Sequence, residues 1–238
     1  MKSPNSLRTE FAALIILVLV AYIGGSLLSV PFIVIGYLLE SPELIFLFSI
    51  LGVQLIGFVG AGVLYLKKFD SEGLDALHFE LDIQGNIITT LITTVLAISL
   101  AIGVSILALE IGIEPAENQI GEILEGGQIF VIMFIVLSVT IIGPAEEFLF
   151  RGVIQHRFGK YLTPKRAIIL TSIVFALIHI PSMISSTIEG FGVYLTVLFF
   201  GSIIFGYAYE DTKNLLVPMV AHGLYNAFIA APLLFMIL

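Results

Sequence analysis

This sequence predicts an all-α integral membrane protein, a bundle of about seven transmembrane helices with a cytoplasmic N-terminus. Three observations carry the prediction. The 238 residues are 58% hydrophobic and 12% charged, against about 25% charged in a soluble domain, and the mean hydropathy is +1.10. Apolar runs of about the 20 residues that a helix needs to cross a bilayer recur along the chain. The ten Lys and Arg gather in alternate connections, as the positive-inside rule requires of cytoplasmic segments. The chain has no cysteine, which excludes disulfides and thiolate metal sites. A net charge of −8 with no basic stripe excludes a nucleic-acid partner.

Each span has its own signals. Residues 11–39 are apolar apart from Gly24-Gly25-Ser26, Ser29 and Pro31, too long a run for a signal peptide, and read as a retained, kinked first span. The second runs from Leu44 to Leu66 and ends at Lys67-Lys68. Residues 71–85 are too polar to cross; Leu74, Leu77 and Leu81 beside Glu72, Asp75 and Asp82 predict a short helix lying at the interface. The third span covers about 87–113, and the loop at 114–127 is acidic. The fourth starts near Gln128 and runs into Pro144-Ala145-Glu146-Glu147-Phe148-Leu149-Phe150-Arg151-Gly152. Thr163-Pro164 reads as an N-cap followed by a first-turn proline, opening a fifth helix through His179 to Pro181. The sixth covers roughly 191–209, and the seventh 215–238, after the polar turn 210–214.

With the N-terminus inside, all Lys and Arg fall on the inner side or at its edge, and the connections at 40–43, 114–127 and 182–190 contain none. The basic run Arg157, Lys160, Lys165 and Arg166, with His156, is expected only to set topology. Residues 1–127 form a motif-free half and 128–238 the half that carries chemistry, within one bundle.

Ionised side chains at mid-membrane cost about 2.5–3.5 kcal/mol each on insertion scales, so Glu146, Glu147 and Arg151 read as a working site. Glu147 and Arg151 are four apart, share a helix face and can pair. Glu146 is offset by about 100° and should face elsewhere, into the bundle. His222 and Asn226 share a face of the seventh helix, and Phe175 lies one turn before His179, placed to pack against its ring. A carboxylate, two imidazoles and an amide suffice for hydrolysis: a base for water and donors for an oxyanion. HExxH, Gly-x-Ser-Gly and Gly-x-Gly-Asp are all absent. One tension accompanies this: His179 lies roughly 20 Å along its helix from Arg166, but His222 only about 12 Å into its own.

Glu146-Glu147-x-x-x-Arg151, Phe175-x-x-x-His179 and His222-x-x-x-Asn226, with Phe150 and Gly152 around the arginine, resemble in kind and order the motifs of the CPBP (Abi) intramembrane protease family. That family includes the type II CAAX prenyl endopeptidases and bacteriocin-processing or self-immunity proteins. The resemblance implies an intramembrane endopeptidase: Glu146 activates water that His179 orients, His222 and Asn226 stabilise the oxyanion, and Glu147 with Arg151 supports the helix. It further implies a peptide or protein substrate, prenylated CAAX-type C-termini or leader peptides, reaching a site open to the cytoplasm in a multi-pass cell-membrane protein. Glu146, His179 and His222 would also serve as zinc ligands with an open fourth position; a metal-free water activated by the same groups is the alternative. The competing functions are a non-proteolytic scaffold or self-immunity protein and a proton-coupled transporter.

Overall fold

The computed structural model describes residues 4–80, 84–114, 116, 121, 123, 126–183 and 187–236. Every predicted span falls on a helix: α1 (Pro4–Leu38), α2 (Pro42–Phe69), α3 (Ile87–Glu110), α4 (Gln128–Gly159), α5 (Pro164–Ile178), α6 (Ile188–Thr212) and α7 (Leu216–Ala230). Six are long and apolar enough to cross a membrane. The exception among the seven is α5, whose 15 residues span about 22 Å, short of a ~30 Å hydrocarbon core. Proline sits in its first turn, although Thr163 makes no side-chain cap hydrogen bond.

Lipid-facing and core-facing stripes explain why so apolar a chain still packs one way. Along α1, Ile16, Val20, Ile23 and Leu27 are exposed while Leu14, Leu17, Val18 and Ala21 are buried. These buried residues join Phe58 and Leu66 of α2, Phe150 and Phe158 of α4, Phe175 of α5 and Tyr209 of α6 in one core. Between helices in lipid, close backbone approach through small residues drives association. A Cβ on Gly25 would lie 2.6 Å from the Gly52 carbonyl oxygen, which sets the α1–α2 crossing. α1 runs unbroken through Gly24-Gly25 and Pro31. Of the other glycines read as packing positions, Gly206 lies against Ile168 and Gln155, whereas Gly24 and Gly201 have open space beside them.

The helices alternate in direction, so the bundle has two unlike ends. At the basic end Arg157 is buried and held by Glu10 (Nε to Oε1, 2.6 Å; Nη2 to Oε2, 2.8 Å) and by Asp70 (2.9 Å), and Lys160 Nζ contacts both Asp70 oxygens at 2.8 Å. Arg157 and Lys160 therefore tie the ends of α1, α2 and α4 together. Burial alone would raise the Asp70 pKa, but hydrogen bonds from Lys160, Arg157 and the Glu72 backbone N–H hold it well below the usual carboxylate range.

The interfacial helix expected over 71–85 does not form across the described part of that stretch. Two 3-10 turns stand there, Gly73–Ala76, which opens on a left-handed Gly73 (φ +59°), and Gln84–Asn86, and residues 77–80 are irregular. The Asn214 amide donates to the Glu80 carbonyl (2.9 Å), and the Leu215 N–H donates to the His78 carbonyl (2.9 Å). These tertiary bonds outcompete the weak propensity of a short helix. Residues 81–83 of that prediction lie outside the described residues.

Candidate active site

The site forms where α4 and α7 cross. A Cβ on Gly143 would sit 2.7 Å from the Gly223 nitrogen, and one on Gly223 2.8 Å from the Ser138 carbonyl oxygen. Only paired glycines permit that approach, and it brings Glu146 and Glu147 to His222. On either side of Gly143–Glu147, α4 is wound as π-helix, over Ser138–Ile142 and Phe148–Gln155, and α2 is π-wound over Gly52–Gly60. Such wide turns concentrate at functional positions in helices.

Glu147 is fully buried, accepting from Arg151 Nε at 2.7 Å and lying 2.8 Å from His222 Nδ1. Arg151, equally buried, also donates to the Ser202 hydroxyl at 3.0 Å. The predicted pair therefore exists, and Glu147 has a further task in holding His222. Glu146 does face the bundle interior, yet it meets the same imidazole: its Oε2 lies 3.8 Å from His222 Nε2, while Oε1 accepts from Gln54 Nε2 at 2.9 Å. Phe205 stacks on the His222 ring, with centroids 4.8 Å apart at 16°.

His179 ends α5. Its Nδ1 lies 2.7 Å from the Phe175 carbonyl oxygen, and the two rings are 4.7 Å apart. Carbonyl and ion-paired carboxylate oxygens only accept, so both His179 and His222 carry a proton on Nδ1 and turn Nε2 to other partners. Phe175, with its ring 6.0 Å from that of His222, is level with the seventh-helix histidine, and His179 stands about one turn beyond. This resolves the depth tension, because the two histidines occupy successive levels of one cavity.

That cavity, about 250 Å³, is lined by Glu146, His179, His222 and Asn226 together, with Tyr194 and Phe205 among its apolar walls. Glu147 and Arg151 support it from outside the lining. The three candidate zinc donors do not close into a cluster. Among the described residues, the group of three such donors with ligand atoms all within 4.8 Å of one another is Asp70, Glu72 and His156, where Lys160 already neutralises Asp70. The ligand atoms of Glu146, His179 and His222 do not all lie within 4.8 Å of one another in this arrangement.

The cavity runs from Glu146 and His222 toward Gly121, Phe134 and Leu233, which lie near the connections that contain no Lys or Arg.

Sequence reasoning missed Gln54, Ser202, Phe205 and the Gly143–Gly223 contact. Gln54 left a usable signal, an amide in the middle of an apolar span, which in lipid calls for a partner; the others resemble ordinary packing residues.

Fold and site thus define a polytopic membrane protein with a buried carboxylate–imidazole centre. Residues 128–228 match the family model described as type II CAAX prenyl endopeptidase Rce1-like. No curated protein and no solved structure matches the chain.

Proposed function

We propose that the protein is an intramembrane endopeptidase in which Glu146 is the general base. The convergence of Glu146, His179, His222 and Asn226 on one cavity inside the bundle carries this reading. Glu147 is consumed by Arg151 and His222, whereas Glu146 keeps Oε2 for water. One O–H of that water is held by Glu146 and the other by the bare Nε2 of His179. As the water oxygen attacks the scissile carbonyl carbon, its proton passes to Glu146. The oxyanion is met by Asn226 and by His222, whose Nε2 must then carry a proton; the positive ring is balanced by Glu147 on one side and Glu146 on the other. Glu146 returns its proton to the leaving amine, and the C–N bond breaks.

Tertiary fold and catalysis separate in the test. Membranes from cells expressing wild-type or Glu146→Gln protein at matched levels are compared for new protein termini. Termini appearing only with wild type support the proposal and name the substrate; the family description and the apolar walls of the cavity favour prenylated C-termini or leader-type segments. Identical termini with both proteins refute it.

A further inference from the structure

We infer that Gln54 of α2 is a positioning residue for hydrolysis: its amide holds Glu146 off His222 and so keeps the base available to water. The inference rests on the endopeptidase reading and deepens it, since Gln54 lies outside the matched residues 128–228.

Glu146 stands beside an imidazole that would readily consume it. Its neighbour Glu147 is already bound to His222 Nδ1 at 2.8 Å, and the chemistry of a carboxylate invites the same pairing at Nε2. Direct pairing there would leave neither the Oε2 lone pairs for water nor the Nε2 proton for the oxyanion. The observed separation of Oε2 from Nε2, 3.8 Å, is beyond hydrogen-bond reach. The other oxygen shows what holds the carboxylate back: Oε1 accepts from Gln54 Nε2 at 2.9 Å, and both residues are buried.

The amide is itself fixed from two sides. Toward α4, Phe58, one turn beyond Gln54, meets Phe150 edge-on with centroids 6.1 Å apart, and Gly62, a further turn on, lies against Phe148 and Val153. Toward α1, Gly52 packs on Ser29 and Gly57 on the Ala21 carbonyl too closely to admit a Cβ. Gln54 thus sits in the π-wound segment Gly52–Gly60, clasped between two helices. Its Oε1 has no hydrogen-bond partner among the described residues. A buried polar atom left unpaired is costly and calls for an explanation. The bond from the other half of the amide to Glu146 supplies it.

Gln54→Met keeps the length of the side chain and removes the donor. Where wild type generates new termini, the cleaved substrate gives kcat and KM for both proteins. The kcat should fall by roughly 10–100-fold, as expected for losing a hydrogen bond to a charged group. KM should stay within about threefold, because the contacts that bind substrate are intact. An unchanged kcat, or a loss carried by KM alone, overturns the inference. A second readout needs no catalysis: infrared difference spectra between each protein and the same protein carrying Glu146→Gln isolate the Glu146 carboxyl band. That band should shift in Gln54→Met; a band that stays in place overturns the inference whatever the kinetics. If Gln54→Met fails to accumulate in membranes, Gln54→Asn, which withdraws the amide by one methylene, is held to the same expectations. If wild type cleaves nothing, the endopeptidase reading fails, and the infrared band still decides whether Gln54 holds Glu146.

Discussion

Replacing Glu147 by Leu should unfold the protein rather than merely silence it. Arg151 has no exposed surface and would keep only the Ser202 hydroxyl as partner. Removing one member of a buried ion pair costs about 3–5 kcal/mol, because the remaining charge stays uncompensated. The loss of an acceptor for His222 Nδ1–H adds about 1–3 kcal/mol. Arg151→Met strands Glu147 in the same way, though His222 still donates to it. The double variant removes both charges, and apolar replacement of a whole buried pair is often close to neutral. Its destabilisation should therefore fall short of the sum of the singles by more than about 2 kcal/mol, at the upper end of coupling between contacting residues. Reversible denaturation in mixed micelles, followed by circular dichroism, measures all four proteins. Single effects that simply add would refute the view that the pair is one buried unit.

Other expected outcomes follow from the same geometry. Gln54→Leu removes the hydrogen bond to Glu146 Oε1; a bond to a charged group is worth about 1.5–3 kcal/mol, so kcat should drop roughly 10–100-fold with little change in denaturation midpoint. Gly223→Val drives a side chain into the Ser138 carbonyl across the α4–α7 contact. Overpacking of this kind costs about 1–3 kcal/mol or more, and cleavage should disappear together with the wild-type midpoint. Asp70 has a folded pKa below its unfolded one, so its contribution to stability is complete above about pH 4 and is lost as pH falls toward the folded value. Asp70→Asn should therefore be less stable than wild type at pH 6, and the gap should narrow in thermal scans taken stepwise down to pH 3.

The spans and the three motifs were legible because lipid imposes simple rules: long apolar runs, cations on one side, and few polar residues without a purpose. Spacing alone placed Glu147 with Arg151 and His222 with Asn226. Gln54 escaped because its value depends on α2 passing beside Glu146, a contact across 92 positions that no local pattern encodes. The leucine spacing over 71–85 suggested a helix because it ignored Asn214, whose amide holds residue 80 from more than a hundred positions away. The basic run was read for its sign alone. Burial of Arg157 between Glu10 and Asp70 became visible only when three helix ends met.

Why two adjacent carboxylates are needed is answered by the histidine between them. Glu147 binds Nδ1 and is neutralised by Arg151, which fixes the ring and leaves Nε2 as its only working nitrogen. Glu146, one position earlier, approaches that nitrogen from the other side of the ring and is restrained through its second oxygen by Gln54. The first carboxylate thus orients the imidazole permanently, and the second stands 3.8 Å from its Nε2 at the inner end of the cavity. Neither residue can take over the other's task without moving the helix. An exchange such as Glu146→Gln should keep the architecture and remove the proposed base, whereas any loss at Glu147 should remove the architecture that holds His222 beside it.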